Sequence, residues 1–309
     1  MIALTERMST LRPPDLDQLR FIGDINNYFC PIKELGHGRY GVVTECRPTE
    51  LGTALWSPLR APPTVALKCV PISDTGTQKV ICNELLIFQS LQQLPCRLRG
   101  SLTYYMALRT TSHIYLVTAV APGDELFYMA LDGSLTVSEK IRILKEVTLI
   151  VDEWHTAKYI HRDLKPENLR VTKHNDGELT VTLVDYGFAL SQAQCEAYPD
   201  QCSDVGTLNM RDPQVKVGQY DSMRLADIWA LGQMIYSVLT GLTLYFSYGP
   251  GGLAPSFHSA QALPLRKVGT PESVIHMLMA LTDPHRQPDR RPVISDILEA
   301  LDKGLVELG

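Results

Sequence analysis

The stretch His161-Arg162-Asp163-Leu164-Lys165-Pro166-Glu167-Asn168 sets a carboxylate, an ammonium and a carboxamide within six residues. Pro166 forbids a regular helix through it, so these groups sit on a loop. Transfer of a phosphoryl group to a hydroxyl needs a carboxylate to orient the incoming oxygen, a cation beside the transferring group and an oxygen ligand for Mg2+. Asp163, Lys165 and Asn168 match those three needs in order. A charged surface loop is the plain alternative. It gives no reason for Asp185-Tyr186-Gly187 to follow 17 residues after Asn168, behind the strand-like run from Val181 to Val184.

A second set of residues lies upstream. Gly36-His37-Gly38-Arg39-Tyr40-Gly41-Val42-Val43 reads G-x-G-x-x-G-x-V, a spacing that lets backbone N–H groups approach phosphate oxygens without interference from Cβ atoms. Taken alone, it reads more readily as the turn of a hairpin. A dinucleotide-binding turn fits less well, because it needs a helix after the glycines, and Val42, Val43 and Thr44 favour strand. Lys68 ends the apolar run Val65-Ala66-Leu67, 27 positions after Gly41. A strand lysine ordinarily points to solvent. One that meets the α- and β-phosphates of a nucleotide needs a carboxylate to hold it, and Glu84 is the candidate. A surface position is the commoner fate of a helical glutamate.

The elements that must position these groups follow from the patterning. Apolar runs around Ile32–Cys46 and Thr64–Val70 predict strands of an antiparallel sheet. The connection between them contains Pro48, Gly52, Pro58, Pro62 and Pro63 and cannot continue a central strand, so it reads as a long loop, equally a tolerated insertion or a partner site. Helical spacing at Val80, Ile81, Leu85, Phe88 and Leu91 predicts one helix, with a capping region at Ser73 and Asp74. His113–Val120 reads as a strand that ends at Ala121-Pro122-Gly123, where a domain boundary is expected. Downstream, Val137–Lys158 and the run from Ile228 predict long helices. The segment from Ile228 to Phe246 carries no charge over 19 residues, and its polar Gln233, Ser237, Thr240 and Thr243 favour a buried helix over a membrane span.

Composition bounds the rest. A chain of 309 residues with 45% apolar side chains buries one substantial core or two small ones. Twenty-nine basic against 34 acidic residues give a net charge of −5, which removes a broad electrostatic case for nucleic acid or anionic membranes. Seven cysteines without a C-x-x-C pair signal neither a disulfide framework nor a zinc site. The charged N-terminal stretch is no secretory signal, and an intracellular protein is expected.

In the order of these motifs the chain resembles the eukaryotic-type protein kinase family, Ser/Thr type, over about residues 28–303, and is compatible with a divergent or viral member. The resemblance implies a bilobal α+β fold, with an N-lobe of antiparallel sheet plus one helix over 28–120 and a mainly helical C-lobe over 121–303. Residues 1–27 would then be an extension and 304–309 a tail. It implies ATP and Mg2+ as cofactors and protein substrates as partners, with no nucleic acid and no membrane span. Carried across, Gly36, Gly38, Gly41 and Val43 cover the phosphates, Lys68 contacts them, and Glu84 holds Lys68. Asp163 is the catalytic base, Lys165 contacts the γ-phosphate, and Asn168 and Asp185 are the metal ligands. Thr118 is the gatekeeper, Ala119 to Ala121 hold adenine through their backbone, and Glu125 faces ribose.

Two departures stand out. Tyr186 replaces the usual Phe and adds a hydroxyl that needs a partner if buried. Asp212-Pro213-Gln214 stands where the family has A-P-E, so the ion pair expected with Arg291 is absent as written, and Gln214 offers only a neutral bond. These departures and the long connection motivate a second reading, a pseudokinase that acts as a nucleotide-binding scaffold. Arg162 is a candidate receiver for a phosphate on Ser191, Tyr198, Ser203 or Thr207, with Ser203 ranked first. Cys195 and Cys202 lie in the same segment.

Overall fold

Alternation along Val65–Lys68 puts Val65 and Leu67 on one face of a strand and Ala66 and Lys68 on the other, and both faces find partners. The computed structural model describes residues 14–38, 41–57, 59–72, 75–199, 205–216, 218–242, 244 and 257–309, the last span with side chains from 262. They fall into two units. One holds residues up to Arg97 together with Ser101–Ala121 and Asp185–Gly187; the other holds Leu98–Gly100, Pro122–Val184 and Phe188–Gly309. The chain is thus α+β and bilobal, as the resemblance implies.

The first unit is built on β1 (Arg20–Phe21), β2 (Phe29–Gly38), β3 (Gly41–Pro48), β4 (Val65–Pro71), β5 (Tyr104–Arg109) and β6 (His113–Thr118). A short helix α1 (Glu50–Thr53) follows β3, and the long α2 (Thr75–Gln92) follows β4. The sheet order is β1-β5-β6-β4-β3-β2, antiparallel except for the β1–β5 pair. The Lys68 face receives α2. Val65 and Leu67 on the opposite face bury with Leu108, Tyr115 and Val117 against Ile22, Phe29, Cys46 and Trp56.

This cluster reaches beyond the expected lobe. Among the described residues, Ile22 of the N-terminal extension and Trp56 of the proline-rich connection both pack onto the sheet. Trp56 is 7% exposed and meets Phe29 and Tyr105 edge-on at 6.2 and 5.8 Å. Thr49 locks the two segments together. Its hydroxyl donates to the Asn27 carbonyl at 2.6 Å and accepts from the Gly52 amide at 3.0 Å, and its own amide donates to Tyr28 at 2.9 Å. Gly52 lies so close to the Tyr28 carbonyl that any side chain there would collide with it.

The second unit is mainly helical, with α3 (Leu126–Leu131), α4 (Val137–Thr156), α5 (Gln192–Ala197), α6 (Tyr220–Thr240), α7 (Phe257–Lys267), α8 (Glu272–Leu281) and α9 (Ile294–Glu307). Short strands β7 (Asp124–Glu125), β9 (Leu169–Lys173) and β10 (Leu179–Leu183) form one sheet, and β8 (Tyr159–Ile160) pairs with β11 (Leu190–Ser191). A reciprocal capping box between Thr136 and Glu139 starts α4; the Thr136 amide and Lys173 hold the Glu139 carboxyl down at about 2. The centre of α6 is buried on nearly every side, from Ile228 through Leu239, which accounts for its uncharged run. Among the described residues no helix is long and apolar enough to cross a membrane.

If the folded connection is part of the core, Trp56→Ala lowers unfolding free energy by about 3–5 kcal/mol in urea titration. A loss below about 1 kcal/mol, the range of exposed-site substitutions, would return this segment to the status of a surface loop.

Candidate active site

Strand β4 and helix α2 bring the first group of residues together. Lys68 Nζ lies 2.7 Å from Glu84 Oε2 and 3.1 Å from Asp185 Oδ1, and the Glu84 side chain is only 4% exposed. Burial by itself would lower the Lys68 pKa, but Asp185 and Glu84 outweigh it and hold the ammonium above its ordinary range. Val43 pairs with Lys68 across the β3–β4 ladder. Gly36 and Gly38 end β2, and Gly41 opens β3 at φ +144°, where a side chain would strike the Cys69 carbonyl. Thr118 is buried, the Ala119 amide donates to Thr103 at 2.8 Å, and Ala121 is half-buried.

Asp185 takes a left-handed backbone, φ +63°, unusual for a residue with a side chain. The hydroxyl of Tyr186 finds the partner it needs: it accepts the Leu102 amide at 2.7 Å, and its ring tilts against Phe88 at 4.9 Å. Burial pushes its phenol up, so it stays neutral.

The second group stands on the loop between β8 and β9. The Asp163 carboxylate accepts three hydrogen bonds and one ion pair. Oδ1 takes the Thr207 amide at 2.8 Å and the Thr207 hydroxyl at 2.7 Å; Oδ2 takes Asn168 Nδ2 at 3.1 Å and lies 2.9 Å from the Lys165 ammonium. Lys165 also donates to the Thr207 hydroxyl at 2.9 Å, and Asn168 Nδ2 to the Asp163 carbonyl at 2.8 Å. Asn168 thus commits its amide nitrogen to Asp163, which leaves its carbonyl oxygen as the atom offered to a cation. Hard oxygen donors such as this one and the Asp185 carboxylate suit Mg2+. Among the described residues no group of three or more His, Cys, Asp and Glu side chains is placed to hold a metal ion. Glu125 pairs with Arg170 at 3.3 Å.

A buried aspartate at the head of Asp227-Ile228-Trp229-Ala230-Leu231-Gly232 holds this loop in place. Asp227, 2% exposed at the start of the buried part of α6, accepts the His161 and Arg162 amides at 2.8 Å each and His155 Nε2 at 3.1 Å. Burial works against its charge, but His155 and the His161 amide hold its pKa below the usual aspartate value. Arg162 has φ +65°, and its Nε donates to the Phe188 carbonyl at 2.7 Å. The expected phosphate receiver is therefore already bonded within its own unit. Ser203 and Cys202 lie outside the described residues, Ser191 is buried as the cap of α5, and Thr207 is engaged with Asp163. Among the described residues the cysteines at 30, 46, 69, 82 and 96 are free, whereas Cys195 is disulfide-bonded, a feature that no cysteine spacing signalled.

The missing ion pair is a clear correction. Arg291 pairs with Asp212 rather than with position 214: Nη1 lies 2.5 Å from Oδ2 and Nη2 3.1 Å from Oδ1, with side-chain exposures of 2% and 1%. The guanidinium also stacks over Trp229 at 4.4 Å. Gln214 instead donates to the Pro284 carbonyl at 2.5 Å. The charge has moved two residues upstream, and the shorter aspartate makes the bidentate fork.

Comparison with known proteins follows the same pattern. Residues 29–251 match the protein kinase domain model. A calcium-dependent protein kinase 5 of Plasmodium berghei is 26% identical over 226 residues, 73% of this chain and 36% of the relative. Calcium-dependent protein kinase 27 of Arabidopsis thaliana is 25% identical over 289 residues, 89% of this chain and 54% of the relative. Serine/threonine-protein kinase Nek9 of Xenopus laevis is 25% identical over 283 residues, 88% of this chain and 27% of the relative. The chain therefore spans from about a quarter to about half of these relatives' lengths.

Asp212→Asn removes one partner of a buried pair and is expected to cost about 3–5 kcal/mol, read as a fall in thermal midpoint. Gln214→Glu brings no gain, because Arg291 is already paired. A rise in midpoint with Gln214→Glu, or none lost with Asp212→Asn, would contradict the assignment.

Proposed function

Because the chain belongs to the protein kinase family, we propose that it transfers the γ-phosphoryl group of ATP to serine and threonine hydroxyls of protein substrates. The observation that carries this reading is the Asp163 carboxylate with Thr207, Lys165 and Asn168 around it, a base fixed in place beside a cation. In the reaction a substrate oxygen forms a bond to the γ-phosphorus, the bond from that phosphorus to the bridging oxygen breaks, and ADP leaves. Asp163 orients the attacking hydroxyl and takes its proton. Lys165 supplies positive charge beside the transferring group, as its contacts to both Asp163 and Thr207 favour. Lys68, kept charged by Glu84 and Asp185, binds the α- and β-phosphates.

Gly36, Gly38, Gly41 and Val43 form the loop over the phosphates, the Ala119–Ala121 backbone holds adenine, and Glu125 meets the ribose. Mg2+, when bound, neutralises phosphate charge, with the side-chain oxygens of Asn168 and Asp185 as its protein donors. The preference for serine and threonine over tyrosine rests on Lys165, and the name of one relative, a serine/threonine-protein kinase, supports it. Dependence on ATP makes an intracellular site of action the natural one. The departures that favoured a scaffold reading carry less weight with Asp212 paired to Arg291 and the Tyr186 hydroxyl bonded.

The test is transfer of labelled γ-phosphate from Mg-ATP to serine/threonine and tyrosine peptide pools by wild type and Asp163→Asn. Label on serine and threonine that falls at least 100-fold with Asp163→Asn is the expected result, the scale of a lost general base. Folded wild type that binds ATP and transfers nothing would replace this reading by the scaffold.

A further inference from the structure

The tripeptide Asp185–Gly187 is held at three successive points within one unit. Asp185 Oδ1 meets Lys68 at 3.1 Å; the Tyr186 hydroxyl accepts the Leu102 amide at 2.7 Å; and the Gly187 carbonyl accepts Asn83 Nδ2 at 3.0 Å. The Tyr186 ring is 0% exposed and continues a stack, since Phe88 faces Tyr104 at 5.1 Å and 14° and Tyr186 at 4.9 Å. Ring packing sets the plane of residue 186, and the hydroxyl sets how deep the ring sits. A phenylalanine would supply the first restraint alone. Asn83 lies beside Glu84 on α2, so the helix that places the partner of Lys68 also grips the tripeptide. The grip also fixes the backbone of Asp185, whose φ of +63° lies in the left-handed region that residues with a side chain adopt uncommonly.

We propose that Tyr186 and Asn83 are positioning residues: through the Leu102 amide and the Gly187 carbonyl they hold Asp185 against Lys68, in the orientation used for Mg-nucleotide. Neither touches nucleotide or reacting atoms. The proposal rests on the kinase reading for what Asp185 does, but the latch itself is read without catalysis. The Tyr186→Phe variant removes one oxygen, and Asn83→Ala removes the second grip at a separate point. Hydrogen exchange is followed in the peptide that contains the Leu102 amide and in residues 183–189. The Mg2+ concentration for half-maximal binding of a fluorescent ATP analogue is measured alongside.

For Tyr186→Phe the Leu102 amide is expected to exchange about fivefold faster, the factor set by one net hydrogen bond. The half-saturating Mg2+ concentration is expected to rise about threefold to tenfold in each variant, while analogue binding without metal is unchanged. A general loss of stability would weaken binding with and without metal alike. Unchanged Leu102 exchange, or a Mg2+ requirement equal to wild type in both variants, would overturn the proposal. A wild type without Mg2+-dependent analogue binding would sink the kinase reading instead, and the exchange data would still decide whether the latch exists. Should Tyr186→Phe fail to fold, Asn83→Ala carries the Mg2+ readout, with faster exchange expected in residues 183–189.

Discussion

A buried ammonium that must keep its charge is the constraint on which the first unit depends. Lys68 leaves water to lie between Glu84 and Asp185, and the desolvation of Lys68 and Glu84 is repaid only if the geometry holds. That one requirement ties a strand, a helix and the tripeptide at 185–187 to fixed relative positions. It also explains why the two faces of β4 differ. Lys68 needs its own face for charge, so the apolar residues fall on the opposite one, where Val65 and Leu67 are covered by Trp56, Phe29 and Ile22. The cap formed by the N-terminal segment and the β3–β4 connection is the apolar counterpart of the ion cluster.

The second unit meets a different problem, that of holding irregular backbone, and meets it with buried aspartates. Asp227 gathers two successive amides of the loop between β8 and β9, where Arg162 has a left-handed φ that no regular element would impose. Asp212 grips Arg291 and so fixes the chain that runs from Thr207 toward α6. A carboxylate can satisfy several donors at once, and its full charge makes each bond stronger than a neutral one. Burial raises the penalty for losing a partner, so each aspartate enforces one conformation.

Much of this was legible in the residues. The order Gly36 to Gly41, Lys68, Glu84, Asp163 to Asn168 and Asp185 announced a phosphate-handling chain, because loop chemistry depends on local spacing. Strand β6 and helices α2, α4 and α6 followed their apolar periodicity. The cap did not. Its four prolines and Gly52 read as loop, and nothing in a single Trp56 says that it turns inward. The Asp212–Arg291 pair was not legible in the motif, which places the acidic group at position 214, whereas an ion pair needs only charge within reach. The role of Asp227 was not legible, since its bonds join residues 65 and 66 positions apart, beyond any local pattern.

The central claim is that Lys68 is charged and placed for phosphate, and calorimetric titration of the folded protein tests it most directly. Wild type and Lys68→Met are titrated with ATP and with adenosine in the presence of Mg2+. The account predicts that the substitution weakens ATP at least tenfold, about 1.4 kcal/mol, and leaves adenosine unchanged, since only phosphate meets the ammonium. Equal affinity of the two proteins for ATP, or a parallel loss for adenosine, would contradict it.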